Sequence, residues 1–168
     1  MRKTKPLNVE VTLYKVKSNG DTKYWNIVYR EMPKWWKEFG AASRRLNNPG
    51  PKQISDTEKT DVKTNIDIHR KEFQLYLLID KNNEVYGYFW VDVAKYYEST
   101  AYIREVFVRE KYRGYGLGRF MMEQLALQLK KDGFKYTILD VLENNVTAKR
   151  LYATNGYAPM SVTMFKKL

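Results

Sequence analysis

The chain of 168 residues contains no cysteine and a single histidine, His69. Without cysteine there is no disulfide framework, thiolate nucleophile, Cys-based zinc site or iron–sulfur cluster, and one imidazole excludes a His-rich metal centre. No apolar run approaches the ~18 residues of a membrane span, and the opening residues 1–6 lack the apolar stretch of a signal peptide, so a cytoplasmic protein without a membrane partner is expected. With 15% aromatic residues and only 9 Gly and 5 Pro, the composition lies outside the disordered and collagen-like classes. The length suits one domain that buries roughly 70% of its unfolded surface. Positive charge is what the chain has in excess: 30 Lys and Arg against 19 Asp and Glu, a net +11. That balance predicts attraction to polyanions without distinguishing nucleic acid, an acidic protein or a phosphate-rich cofactor.

Hydrophobic spacing orders the elements. Residues 8–16 alternate Val9, Val11, Leu13 and the stem of Lys15 with other neighbours, a strand pattern, and Ser18-Asn19-Gly20-Asp21 turns the chain. The spacing of Trp36, Phe39 and Ala42 predicts a helix over 31–47 with Pro33 in its first turn, stopped at Asn47-Asn48-Pro49-Gly50-Pro51. Residues 52–71 read as a polar loop and a second short helix. Residues 72–80 and 85–93 form strand-like runs joined by a hairpin turn at Lys81-Asn82-Asn83-Glu84. A strand over 102–108 leads into a glycine-bearing loop, after which Leu117, Met121, Leu125 and Leu129 mark a helix that ends with Lys130, Lys131 and a left-handed Gly133. A strand over 135–142, a helix over 146–154 stopped by Asn155-Gly156, and a last strand over 160–165 complete a mixed α/β domain.

The strand, glycine loop and helix between 102 and 132 carry the sharpest chemical signal. Gly114, Gly116 and Gly118 let the backbone approach a ligand, and the N–H groups opening the next helix have no intrahelical partner. Such a unit suits phosphate, with Arg109, Lys111, Arg113 and Arg119 adding positive charge. The plain alternative is a tight turn with solvated basic residues. A Walker A loop requires Gly-Lys-Ser/Thr at its end, and Gly118 is followed by Arg119-Phe120. A G-x-G-x-x-G fingerprint requires glycine where Arg119 or Met121 stands, although Asp140 occupies the place of its ribose-binding acid.

Taken as Arg-x-x-Gly-x-Gly, Arg113 to Gly118 resembles the acyl-CoA pyrophosphate loop of the GNAT superfamily of N-acetyltransferases. Val106-Phe107-Val108 and the lead Arg109-Glu110-Lys111-Tyr112 look like that family's fourth strand and its exit. Asn145, Ala148, Leu151-Tyr152 and Gly156-Tyr157 are similar to its second motif, and Met164 to Leu168 look like its last strand. The resemblance implies a single-domain α/β fold, a mixed sheet of about six to seven strands flanked by about four helices. In that reading residues 72–168 are an acetyl-CoA-binding core and residues 1–71 shape the acceptor site.

Acyl transfer from a thioester to an amine needs a deprotonated amine, a stabilised carbonyl oxygen and a proton for the departing thiolate. The resemblance implies acetyl-CoA as cosubstrate, with no metal, held by Arg113, Gly114, Tyr115, Gly116, Leu117, Gly118, Arg119 and Asn145. Asn145 is equally suited to cap the next helix. Backbone N–H groups of Val106, Phe107 and Val108 are implied to bind the thioester carbonyl and pantetheine, the plain alternative being a fully paired central strand. Tyr152 falls at the family's general acid, or is simply a helix tyrosine against the sheet. For the base, Asp140, Glu105 and ordered water remain open. Simple alternation groups Glu105 with Ile103 and Phe107, and Asp140 with Ile138 and Leu142, both on apolar faces where a lone carboxylate is costly. His69, in a polar segment, reads as a surface residue. Trp25, Trp35-Trp36 and Tyr96-Tyr97 either wall the acceptor pocket or fill the core. Arg44-Arg45 and Arg2-Lys3-Lys5 either extend a basic surface towards RNA or form a solvated face. The expected activity is direct acetylation of a primary amine on a small molecule, a protein or an aminoacyl-tRNA, by a monomer or homodimer. The competing function is a non-catalytic basic module binding phosphate or nucleic acid.

Overall fold

A computed structural model describes residues 9–46, 61–93, 97–164, 166 and 168. Arg2-Lys3-Lys5, the helix stop at 47–51, Tyr96, Phe165 and the side chain of Arg44 lie outside the described residues. The elements are β1 (Val11–Val16), α1 (Thr22–Arg44), α2 (Val62–Glu72), β2 (Phe73–Asp80), β3 (Val85–Asp92), β4 (Thr100–Val108), α3 (Leu117–Lys131), β5 (Tyr136–Leu139) and α4 (Val146–Thr154). The sheet follows sequence order, β1-β2-β3-β4-β5, antiparallel through β4 and parallel between β4 and β5.

Strands β2 and β3 are buried on both faces, which is why they read as continuous apolar runs. Leu75, Leu77, Tyr88, Trp90 and Phe107 pack beneath α1 and α2, together with Trp25, Val28, Met32, Trp35 and Ile66. On the other face Tyr76, Leu78, Phe89 and Ile103 pack against Leu117, Met121, Leu125 and Leu129 of α3, with Leu151 and Tyr152 of α4 at the margin. The anticipated hairpin turn and Gly133 are present: Asn83 and Gly133 adopt φ of 64° and 90°.

Helix α1 begins at Thr22 rather than near 31, and Pro33 lies inside it. Proline forfeits one backbone bond there. The stripe Trp25, Val28, Met32 and Trp35 runs through that position and is buried throughout, so packing carries the helix across. Five strands are present among the described residues instead of six to seven. Met160, Val162 and Met164 alternate as a strand would, yet all are exposed and carry no ladder; period-2 patterning makes a strand only where an edge supplies partners. Strand β5 stops at Leu139, not 142.

Strand β4 contains a bulge. Trp90 opposes Glu105 and Val91 opposes Ile103, so Arg104 is an extra residue. Alternation therefore inverts there: Ile103, Val106 and Val108 face α3, whereas Phe107 faces α1. Glu105 joins Phe107 but not Ile103, correcting the simple alternation.

Candidate active site

The site grows from unequal pairing of β4. Strand β5 accompanies it only from Thr100↔Tyr136 to Ile103↔Leu139, while β3 continues to Val108. Beyond Ile103 that edge of β4 pairs with no strand among the described residues. The Arg109 N–H donates to Tyr86 O at 3.0 Å, and a Cβ on Gly87 would collide with the Phe107 carbonyl, so residues 107 and 109 turn their backbone groups towards β3. Strand geometry then points those of Val106 and Val108 into the gap. Arg113 Nε donates to the Val108 carbonyl at 2.8 Å, consistent with that direction. Of the three anticipated backbone donors, Phe107 is thus turned to the ladder.

The glycine loop leads from this gap to α3. Gly114 and Gly116 have φ of 86° and 79°, backbone that an L side chain adopts only under strain. Gly116 caps α3 without a side-chain bond, and the first helical bond is Phe120 N–H to Gly116 O. The N–H groups of Leu117, Gly118 and Arg119 therefore open the helix outside its ladder. A Cβ on Gly118 would sit 3.3 Å from Leu151 Cδ2, so this glycine lets α3 and α4 close. Buried Leu117 anchors the turn. The charges are less available than their number implies. Arg109 and Lys111 both converge on Glu84, at 2.7 and 3.1 Å, where Tyr112 also donates. Arg119 pairs with Glu123 at 2.8 Å, and Arg113 lies 3.9 Å from Glu38.

On α4, Asn145 accepts from the Ala148 N–H at 3.1 Å, so its side chain caps the helix. Tyr152 is half-buried beside Tyr157, ring centroids 5.9 Å apart. Burial, helped by Tyr157, pushes the phenol up to about 12. Its hydroxyl makes no hydrogen bond among the described residues.

The two candidate carboxylates differ sharply. Asp140 lies past the end of β5, exposed, and accepts from the Tyr102 hydroxyl, so the anticipated apolar face does not surround it. Burial first, then Asp140, pushes Tyr102 up to about 12. Glu105 is enclosed: Oε2 accepts from Tyr88 OH at 2.9 Å and from Trp36 Nε1 at 3.3 Å. Burial raises its carboxyl above the usual value of 4.5, against the opposing effects of Tyr88, His69 and Trp36. His69 is part of this nest rather than a surface group. Its ring lies 5.5 Å from Trp36, 5.4 Å from Trp90 and 5.1 Å from Phe73, and Nδ1 is 2.8 Å from Asn65 O, an acceptor that requires the hydrogen on Nδ1. Trp25 and Trp35 are core, Trp36 alone among the described residues of the anticipated wall reaches Glu105, and Tyr97 is exposed. Arg45 pairs with Glu110 at 3.3 Å.

Tyr88 and Gly87 were not anticipated. Gly87 carried a signal, because glycine inside a strand marks close backbone approach. Tyr88 carried none, since its role depends on the register with β4. A cavity of about 800 Å³ lies elsewhere, along the edge of β5 that no described strand covers, lined by Tyr97, Tyr136, Ile138, Tyr157 and Met160.

A fourth strand paired on one side only beyond Ile103 among the described residues, followed by a glycine-opened helix, agrees with the resemblance carried by the sequence. Residues 33–157 match the acetyltransferase (GNAT) family model, and the chain belongs to that family. A Bacillus subtilis (strain 168) protein, the uncharacterized N-acetyltransferase YycN, is 27% identical over 95 residues, 56% of this chain and 61% of that protein; the match thus spans less than two thirds of this relative. The crystal structure of YycN shares the fold, with a TM-score of 0.59 at 18% identity over 95% of this chain and 99% of that one. A mutant of the BH1408 protein from Bacillus halodurans gives a TM-score of 0.67 at 18% identity, covering 94% and 99% of the two chains. An aminoglycoside acetyltransferase from an uncultured soil metagenomic sample gives 0.62 at 15% identity, covering 94% and 96%. No helix among the described residues is long and apolar enough to cross a membrane.

Proposed function

We propose that this protein transfers an acetyl group from acetyl-CoA to a primary amine by direct attack. The observation that carries the reading is the edge of β4 beyond Ile103 that no described strand covers, with the Val106 and Val108 N–H groups turned towards it and the glycine-opened N-terminus of α3 next along the chain. Glycines at 114 and 116 fit a cradle for phosphate, since both occupy conformations that a side chain would strain. Bound acetyl-CoA supplies the thioester carbonyl and the thiol leaving group. The α3 N-terminus, Arg113 and Arg119 hold the pyrophosphate. Val106 and Val108 N–H groups meet the carbonyl oxygen and pantetheine, donors typically worth about 2.7–4 kcal/mol each in acyl-transfer sites. Glu105 takes the proton of the incoming ammonium. Tyr152, protonated throughout the neutral range, donates to the departing sulfur. The competing basic-module reading is weakened because Arg109 and Lys111 are committed to Glu84.

Acetyl-CoA is expected to raise the melting temperature by ligand linkage. Gly116→Glu, which sets bulk and negative charge where phosphate belongs, should abolish that rise, whereas Gly114→Ala should only reduce it. No shift at saturating acetyl-CoA would overturn the reading. Release of free thiol across an amine panel then identifies the acceptor.

A further inference from the structure

We propose that the acceptor arrives as an ammonium ion on an apolar stem, with its nitrogen on Glu105 Oε1 and its stem against Trp36 and Phe39. This rests on the transferase reading above and narrows it to one class of amine.

The two oxygens of Glu105 are treated unequally. Oε2 receives both Tyr88 OH and Trp36 Nε1, while Oε1 receives no hydrogen bond from any described residue. Glu105 is neither fully buried nor fully exposed, so its carboxylate lies at the margin of the fold. A carboxylate anchored through one oxygen and bare at the other is a fixed acceptor aimed at a donor from outside. An ammonium fits it, giving a charge-assisted bond in a sheltered setting.

The surroundings select what the ammonium is attached to. Phe39 is 37% exposed and meets Phe107 edge-on, with centroids 6.3 Å apart; Trp36 is half-buried between Glu105 and His69. Aromatic faces favour a cation on an apolar stem. Glu38 adds a second carboxylate near the Phe107 rim, facing Arg113, whose guanidinium lies 5.8 Å over that ring. Arg113 offsets Glu38, which leaves the Glu105 carboxylate to set the charge beside Trp36. An amine bearing its own carboxylate is repelled there.

The proton balance closes. The ammonium transfers one proton to Glu105 Oε1 and becomes a free amine. Its nitrogen then forms the bond to the carbonyl carbon as the carbon–sulfur bond breaks; the second nitrogen-bound proton is lost to solvent, Tyr152 protonates the sulfur, and solvent afterwards returns a proton to Tyr152 and takes the one on Glu105, a net release of one proton. Glu105 precedes Val106 on β4, so the nitrogen lies one residue from the donor to the carbonyl oxygen, reached from the opposite sheet face.

The test is a titration of the full chain, without acetyl-CoA, by calorimetry, using phenethylamine as the cationic probe and glutamate as the acid-bearing amine. Saturable phenethylamine binding is expected, with little glutamate binding. Glu105→Gln should weaken phenethylamine at least about tenfold, the loss of one bond to a charged group. Trp36→Leu should weaken it further than Trp36→Phe, which keeps an aromatic wall. Glu72→Gln, at an exposed carboxylate on α2, should change nothing. Absence of saturable binding, equal affinity for glutamate, or indifference to Glu105→Gln with melting temperature retained would each overturn the proposal. Because acetyl-CoA is absent, such a failure is separate from the cofactor-induced melting shift, whose loss would overturn only the transferase reading.

Discussion

The proposed site draws on the two sides of β4 by different means. Towards α3 the working groups are backbone: N–H groups turned into the gap and N–H groups opening a helix, spaced by glycines with positive φ. Towards α1 they are side chains from four separate elements, Glu105 of β4, Tyr88 of β3, Trp36 of α1 and His69 of α2. One extra residue, Arg104, decides which residues face which way. The glycine loop is written into one short stretch of chain, although the directions of the Val106 and Val108 N–H groups depend on the β3 register and on where β5 ends; the side-chain cluster needs that register and two helices as well. The difference predicts that changes on the α1 face alter acceptor chemistry, while changes on the α3 face alter cofactor binding.

The largest effect expected from a single substitution is at Glu105. Glu105→Gln should lower kcat/KM by about 10²-fold or more, the usual contribution of a general base, with little change in the acetyl-CoA melting shift. Steady-state kinetics with an accepted amine measures it, and an unchanged rate would move the base to Asp140 or water. The pH dependence follows from the raised carboxyl: wild-type kcat/KM should rise through a pKa above 4.5, and that limb should vanish in the Gln variant. Tyr152, near 12, imposes no falling limb in the neutral range. Stability runs the opposite way. Below 4.5 both folded and unfolded chains are protonated at this group; above it the unfolded chain loses the proton first, so this contribution falls as pH rises to the folded value. Urea midpoints against pH, compared with Glu105→Gln, would reveal it.

Gly87 joins the two faces, and its substitution comes next. A Cβ there meets the Phe107 carbonyl and Met121 Sδ, so β4 must move. Gly87→Ala should cost about 1–3 kcal/mol by overpacking, read as a lower urea midpoint, and should weaken both acetyl-CoA and amine binding because β4 supplies both. A loss confined to one ligand would show that the faces are less coupled than the register implies.

The same contrast explains what could be read from the amino-acid order. Gly114, Gly116, the periodic apolar residues of α3 and the Asn145 cap are legible because each follows from its own few residues, whereas the role of Gly118 against Leu151 does not. The α1 face is not. Alternation sets Glu105 beside Ile103 because it knows nothing of a bulge, the pattern gives Asp140 an apolar face because it runs β5 three residues past Leu139, and His69 reads as a surface group because its aromatic neighbours come from α1, β2 and β3. Pro33 misled for a related reason: its local cost is certain, but the stripe that outweighs it extends over the whole of α1.

Tyr152→Phe is a smaller change, expected to lower kcat about tenfold, or ~1.4 kcal/mol in the transition state, with cofactor affinity retained. An equal loss of acetyl-CoA affinity would assign the hydroxyl to binding instead.

The smallest effect lies on the α3 side, away from the chemistry. Lys15 of β1 reaches Asp132, the C-cap of α3, at 2.6 Å. The bond from Lys15 is the main cause holding the Asp132 carboxyl below 3.8, so its stabilising contribution is present above 3.8 and is lost as pH falls through the folded value. The side chains are 38% and 24% exposed, and solvent screens such a pair to under about 1 kcal/mol. Asp132→Asn should therefore lower the urea midpoint slightly at neutral pH and not at all in acid, and leave kcat/KM unchanged. A change in turnover would mean that β1, on the far edge of the sheet, is coupled through α3 to the glycine loop, and that this loop is less self-contained than its short stretch of chain implies.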